Sequence, residues 1–448
     1  TYSLMAKSLT KSTQAFLIAK ELDFIYMPIV NSNIGYPNLV LNGTVINSTA
    51  IGVSDVFTSI GTAAATPTYQ SKLYNIIIDF NTSYRSVSLN AGLVVSGSVT
   101  RLYDGASYTE LGFVEQPLIL SYSTVAPGFP TFAQGTYGVA AIYRWTDNNG
   151  IEHKSAPEFK TIVVPSGGIQ SIYLNVANTN ITNKDNVYID VYMTAKDGTI
   201  FYRAKRAAGT LYATALNNSS SYYSTIILDT LPVTNTEILY TQSGELENDS
   251  PTSCFSITAF KNRVFTVNKN KLQYSKLINP GEPVQFNGNL VINLEAEGGD
   301  ATGVYGMDNN LIIFKKNSIY LLNGEGPNNL GEQNDYQNPQ LITADTGNID
   351  LNSIVAYPGG ILFKSPKGIY ELNRGLYAQY IGAPVAAFNQ YSVQSATLLP
   401  EVNEVRFVLS NGQMIVYDYF EKRWNVDTTV GALSGVSLNN KFYYVNSS

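Results

Sequence analysis

Among its 448 residues the chain has one cysteine, Cys254, and one histidine, His153. A lone cysteine excludes a disulfide framework and any cysteine-based zinc site. A lone histidine excludes His-rich metal centres, although a Ser–His pair remains formally possible. Charge is scarce as well: Asp, Glu, Lys and Arg make up 14% of residues, against about 25% in an average soluble protein. Helix-rich proteins draw on Glu, Lys, Arg, Ala and Leu for their exposed faces, so an all-helical fold is excluded. No apolar run approaches about 18 residues, and no membrane span is expected. With 28 Lys and Arg against 34 Asp and Glu, the net charge is −6. A basic nucleic-acid-binding surface is therefore not the main feature. The chain opens on Thr1, as expected where an upstream segment is processed or absent, so a missing signal peptide carries no weight.

What the chain does have is tyrosine, 32 of them, with aromatics at 12%. Tyr, Val, Ile and Thr suit pleated, half-buried strands, and hairpin signals dominate. Arg263–Ser275 (RVFTVNKNKLQYS) reads as two strands around Asn268-Lys269-Asn270. Leu311–Leu322 (LIIFKKNSIYLL), Ile361–Leu372 (ILFKSPKGIYEL) and Val405–Tyr419 (VRFVLSNGQMIVYDY) follow, with starts 48, 50 and 44 residues apart. The last turns at Ser410-Asn411-Gly412, where Asn-Gly favours positive φ. A shorter unit, Val436–Val445, turns at Asn439-Asn440. A hairpin every 44 to 50 residues, with a strand or two between, is the mark of propeller blades. Sandwiches and barrels also space hairpins semi-regularly; the propeller is the reading adopted.

Between about Val114 and Thr241 the strands are longer: Tyr137–Trp145, Lys160–Val164, Ile169–Val176, Asn186–Thr194 and Thr199–Arg206. Turns fall at Asn148-Asn149-Gly150 and Asp197-Gly198. Six or so strands in this span fit an immunoglobulin- or fibronectin III-like sandwich without the disulfide. Val87–Leu111 repeats the style of the later hairpins and reads as an earlier blade, and Lys7–Leu22 as a short helix. The organisation expected is an all-β chain, a β-propeller with an inserted sandwich. Residues 1–115 hold the N-terminal region and first blade or blades, 116–242 the sandwich, 243–253 a polar linker and 254–448 the remaining blades.

No catalytic constellation emerges. His153 sits in a turn-rich loop with Ser155 two residues on, and reads as a surface histidine. Cys254 opens an apolar stretch and reads as a small core residue. Glu295, Glu297 and Asp300 lack the dense Asp-x-Asp spacing of a calcium loop and read as solvated turn carboxylates. The basic groups Arg203/Lys205/Arg206, Lys315-Lys316 and Lys422-Arg423 read as solvated faces. Outward tyrosines suit either protein–protein contacts or packing between blades. No catalytic, metal-binding or cofactor-binding residue is assigned, and no cofactor is expected.

Several segments in order carry a resemblance: Asn262–Pro283 (NRVFTVNKNKLQYSKLINPGEP), Asn310–Pro327 (NLIIFKKNSIYLLNGEGP), Pro358–Asn373 (PGGILFKSPKGIYELN), Val416–Trp424 (VYDYFEKRW), and upstream Gly135–Pro157 (GTYGVAAIYRWTDNNGIEHKSAP). The succession resembles the tail tube or nozzle proteins of short-tailed bacteriophages and the related head-closure stabilisation proteins. It covers roughly Gly135 to Trp424. The resemblance implies a non-enzymatic virion tail protein in a ring, six copies being the expectation. Such a ring lies below the portal and adaptor, docks other tail proteins and conducts duplex DNA with only transient, non-specific contact. Few Lys and Arg suit a conduit, because each phosphate contact adds salt-dependent affinity. The alternative is a carbohydrate-binding or glycoside-cleaving propeller on a virion or cell surface, with Trp145 and Trp424 stacking on sugar rings. A weaker option is a cell-surface adhesin built from sandwich domains.

Overall fold

The computed structural model describes residues 85–446 except 90–91, 127–129, 207–209, 429–430 and 439, and before residue 85 the backbone of five strands. From Ser86 the chain forms four-stranded antiparallel meanders. The first comprises Ser86–Leu89, Gly92–Val95, Arg101–Tyr103 and Tyr108–Glu110. After a long excursion four more follow: Ser256–Phe260 through Phe286–Asn293, Ala301–Met307 through Gln340–Thr343, Val355–Tyr357 through Ala378–Tyr380, and Val393–Leu399 through Arg423–Asp427. The last sheet has two strands, Ala432–Leu438 and Lys441–Asn446.

Local chemistry explains the meanders. Phe260 and Arg263 pair across Lys261 and Asn262, whose φ values of 46° and 56° are those of a two-residue hairpin turn matched to strand twist. At Ser410–Gly412 only the glycine takes positive φ, 82°, so this turn is not the doubly positive Asn-Gly type. Second strands such as Asn310–Lys315 and Gly360–Ser365 are buried along nearly their whole length. A neighbour covers each face, so they read as continuous apolar runs rather than alternation.

The sheets pack face to face in chain order. Val94 and Leu102 share a core with Ile257 and Val264; Phe265 and Val267 with Val304 and Ile313; Ile312 and Phe314 with Ile361 and Phe363; Leu362 with Val405 and Phe407; Val408 and Met414 with Ala432. Gly303 keeps one of these approaches tight, since a Cβ there would strike the Ile354 side chain. Arg85 decides what the succession amounts to. It precedes the first sheet, yet its guanidinium donates to the Leu351 carbonyl just before the fourth. A side chain that links sheets three places apart brings the chain back past its own start, as the wheel-like succession of face-to-face sheets in a propeller does. The chain is a β-propeller.

Between the first and second blades the chain leaves to build a sandwich. One sheet holds Ile119–Val125, Ser171–Ala177 and Tyr223–Leu228; the other is centred on Gly135–Thr146, paired with Glu152–Lys154, Glu158–Val164 and Tyr188–Thr194. Val139, Ala141, Tyr143, Ile162, Leu174 and Val191 fill the space between. The strand expected over Thr199–Arg206 breaks at Ala204 into Phe201–Arg203 and Lys205–Arg206: the Ala204 N–H still reaches the Val191 carbonyl, but the Val191 N–H donates to the Ala213 carbonyl, and Lys205–Arg206 pairs instead with Leu211–Tyr212. Residues 244–253 carry no strand but are pinned: the Lys276 ammonium reaches Glu245 Oε1 at 3.0 Å and Asn248 Oδ1 at 2.7 Å.

Among the described residues the N-terminal helix expected over Lys7–Leu22 is absent. Ser3–Ser8 and Gln14–Lys20 are instead antiparallel strands, with Met27–Val30 as a third. The apolar run is of strand length, shorter than the roughly 10–12 residues a helix needs. Ser3–Ser8 runs against Gly92–Val95 of the first blade.

Candidate functional site

The most elaborate polar chemistry lies where the sandwich meets the first blade. Glu110 ends that blade's outermost strand, and Lys184 comes from a sandwich loop. The Lys184 ammonium donates to Glu110 Oε1 at 2.6 Å, the Glu110 carbonyl at 2.6 Å and the Gly112 carbonyl at 2.7 Å. It lies 5.1 Å from the Phe113 ring and 5.3 Å from Trp145. Thr182 Oγ1 and the Asn183 N–H also donate to the Glu110 carboxylate. Burial opposes charge at Glu110, but the Lys184 ammonium and these donors outweigh it and hold the carboxyl below its usual value. At Lys184 burial dominates and brings the ammonium down to about 8 despite Glu110. Three acceptors for three N–H groups leave it a satisfied cation at neutral pH.

A second clamp sits at the other end of the same strand pair. The Asp104 carboxylate accepts from the N–H groups of Ala106, Ser107 and Asn148 and from Asn148 Nδ2, and Asn149 Nδ2 donates to the Asp104 carbonyl at 2.9 Å. The Asn148-Asn149-Gly150 turn is thus a docking element as well as a hairpin tip. Burial again works against the charge, and the donated hydrogen bonds hold Asp104 below its ordinary value. Two clamps on one hairpin fix the sandwich as a rigid arm.

The clamps make the joint acid-sensitive. Both carboxyls are depressed in the folded chain, so their stabilisation is fully present above the ordinary values of 4.5 and 3.8 and is lost as pH falls through the lower folded values. Limited proteolysis should show the joint intact at pH 7 and cut within residues 111–118 below about pH 4. Equal protection at pH 3 and pH 7 would contradict this.

The candidates from the sequence are scattered. His153 is buried, not on the surface: strand Glu152–Lys154 sets it opposite Trp145, where its ring lies 5.0 Å from the indole and Nε2 is 3.3 Å from Asp147 Oδ2. Ser155 donates to the Ala156 carbonyl and accepts from the Tyr143 N–H, so its hydroxyl serves the backbone. Cys254 is buried beside Thr100, and burial pushes its thiol up. Glu295, Glu297 and Asp300 point to solvent, and among the described residues no three His, Cys, Asp or Glu side chains gather to hold a metal.

The basic clusters differ from one another. Lys422 and Arg423 are exposed. Lys315, expected on a solvated face, is buried because the Glu295–Asp300 loop folds over it, the ammonium meeting the carbonyls of Glu295 and Glu297. Arg203 is half-buried and shares the fully buried Asp190 with Arg144, under the Tyr212 ring. Neither tryptophan offers an open platform. Trp145 is core, and Trp424 packs 4.8 Å from Tyr417 with its indole N–H on the Ile381 carbonyl. Tyr357, hydrogen-bonded to Glu371, is an interior pair whose phenol is raised by burial and that carboxylate rather than activated.

Two surface features remain. A cleft of about 10 Å³ beside His153 is lined by Leu111, Lys154, Asn248, Asp249 and Phe286, room for roughly one water and far below the size usual for small-molecule sites (about 300–1,000 Å³). At one end of the sandwich, Leu118, Ile181, Tyr222 and Tyr223 are exposed around Ala177–Asn178, whose N–H groups bond Leu118 and Tyr222. Tyr222 is 70% exposed. Outward and buried tyrosines therefore both occur, at this patch and in the core.

No protein-family model matches the chain, and no curated protein does. Similar solved structures include BamB from Moraxella catarrhalis (7% identity, 74% of this chain and 95% of that one, TM-score 0.29). Others are Saccharomyces cerevisiae Sqt1 (11%, 74% and 83%, 0.28) and the C-terminal WD40 domain of Sif2 (10%, 77% and 86%, 0.27). The fold assignment rests on the sheets and on Arg85 rather than on these likenesses. Among the described residues no helix is long and apolar enough to cross a membrane.

Proposed function

We propose that the chain is a non-enzymatic structural subunit of a bacteriophage tail, one of six copies in a nozzle ring that conducts duplex DNA and docks the portal, adaptor and other tail proteins. The observation that carries this reading is the order of parts: a sandwich, fastened by two clamps to the blade before it, and then the remaining blades. From Gly135 onward, a sandwich followed by hairpin blades is the order of the segments that resemble the tail nozzle proteins. Arg85, before the first blade, reaches the Leu351 carbonyl before the fourth, which favours a conduit lying between copies over one running through a single propeller. The rigid arm, with Leu118, Ile181, Tyr222 and Tyr223 at its end, supplies surface for neighbours, since aromatic residues are enriched where proteins pack on proteins. Contact with DNA stays transient, in keeping with few basic residues and a net charge of −6.

Sedimentation velocity on the purified protein tests this. A closed species of six chain masses is expected, and a monomer at every concentration, with no partner in the particle, would sink the proposal.

A further inference from the structure

Among the described residues the buried lysines are Lys184, Lys276, Lys315 and Lys364. The ammonium groups of Lys184 and Lys364 face carboxylates, Glu110 and Asp350, and that of Lys315 faces backbone carbonyls. Lys276 differs, because it also touches a side-chain amide. Its Nζ lies 2.7 Å from Asn248 Oδ1 and 3.0 Å from Glu245 Oε1, and it meets the Leu246 carbonyl. A lysine, an asparagine and a glutamate therefore converge where the chain returns from the sandwich to the second blade.

The two reacting groups are held from both sides. Lys276 directly follows strand Lys271–Ser275, and its own N–H bonds the Gln285 carbonyl at 2.8 Å. The Asn248 N–H donates to the Tyr240 hydroxyl at 2.9 Å, and its Nδ2 donates to the Lys154 carbonyl at 3.0 Å. The amide oxygen is thereby the end turned to the lysine. Lys276 and Asn248 are both buried, with the Tyr240 ring 5.5 Å from the ammonium. Burial lowers the Lys276 pKa against the opposing pull of Glu245, and a desolvated lysine with a base beside it is an activated nucleophile. Contact between amine and amide in a site that shuts out bulk water favours aminolysis over hydrolysis. At Lys184 the facing group is a carboxylate with no such leaving group, so the same geometry there stays an ion pair.

We propose that Lys276 and Asn248 join in an intramolecular amide cross-link, with Glu245 as the base. Glu245 takes one proton from the ammonium, and the freed Nζ lone pair attacks Asn248 Cγ. The Nζ–Cγ bond forms and the Cγ–Nδ2 bond breaks. Of the three Nζ protons, one stays on the new amide and one leaves with Nδ2 as ammonia. The third, held by Glu245, converts that ammonia to ammonium. Nothing is oxidised or reduced, and no co-reactant is needed. The bond ties the returning linker to the second blade at the foot of the sandwich arm. It also closes a loop between residues 248 and 276 in the unfolded chain, as a disulfide would, in a chain with a single cysteine. The cross-link does not depend on the tail reading, and a lone propeller could carry it equally.

Electrospray mass spectrometry of the purified full chain tests it. Loss of one ammonia should leave the chain about 17 Da below its sequence mass. Because a succinimide at an Asn-Gly pair loses the same mass, the digest decides. Trypsin should fail to cut after Lys276 and should yield a branched peptide joining the stretch that holds Asn248 to the one that holds Lys276. Lys276→Arg keeps the charge, and Glu245→Gln keeps the shape; each should show the full mass of its own sequence and no branched peptide. The full sequence mass in the unaltered chain after several days in its folded state, with cleavage after Lys276, overturns the proposal. A branched peptide that persists in Glu245→Gln overturns the assignment of Glu245 as the base.

Discussion

Replacing Lys184 by Met should cost about 3–5 kcal/mol, because it leaves Glu110 charged, buried and without its cation. Glu110 sits between the Thr182 hydroxyl and the Asn183 N–H, with its side chain 5% exposed. The double variant Lys184→Met/Glu110→Gln should recover much of that loss, since a buried ion pair contributes little net once both charges are gone. Denaturant unfolding followed by fluorescence suits the measurement, because Trp145 lies 5.3 Å from the ammonium and reports on the joint. A single-variant loss below about 1 kcal/mol, in the range of exposed pairs, would show that the clamp does not hold the arm.

Phe314→Ala should cost a similar amount, about 3–5 kcal/mol, for a different reason. Phe314 and Phe363 are both fully buried, their ring centroids 5.1 Å apart across the contact between the third and fourth blades. Truncation leaves a cavity lined by Ile312, Ile361 and Leu372, which the strand backbones hold open. Phe420→Ala is the control. Its ring is 75% exposed, so the change should fall within about 0.5 kcal/mol. Urea midpoints of the two variants decide it, and equal losses would contradict the packing described.

The blades were legible because each second strand is a short apolar run, with turn residues at its ends. The return of the chain past its own start was not, since it shows in Arg85 meeting a carbonyl 266 residues away. No local pattern records that. Lys184 lies in the polar stretch TNKDN, and nothing there separates a buried cation from a solvated one; its three acceptors come from residues 110 and 112. Lys315 misled in the opposite sense. Beside Lys316 it reads as solvated surface, and only the fold of the Glu295–Asp300 loop over it reveals burial. For His153 a usable signal was present, because alternation along EHK places it on the face shared with Trp145. The N-terminal strands were missed because seven apolar-leaning residues fit either helix or strand until a pairing partner is known.

The central proposal is that this chain works as one part of a ring around duplex DNA, with the channel lying between copies rather than through one propeller. An electron cryomicroscopy map of the assembled protein, or of the particle that carries it, tests both halves together. The account predicts a channel at least about 20 Å wide between subunits, with Arg85 still bridging to Leu351 inside each one. A lone propeller, or a channel running through the propeller axis itself, would contradict it.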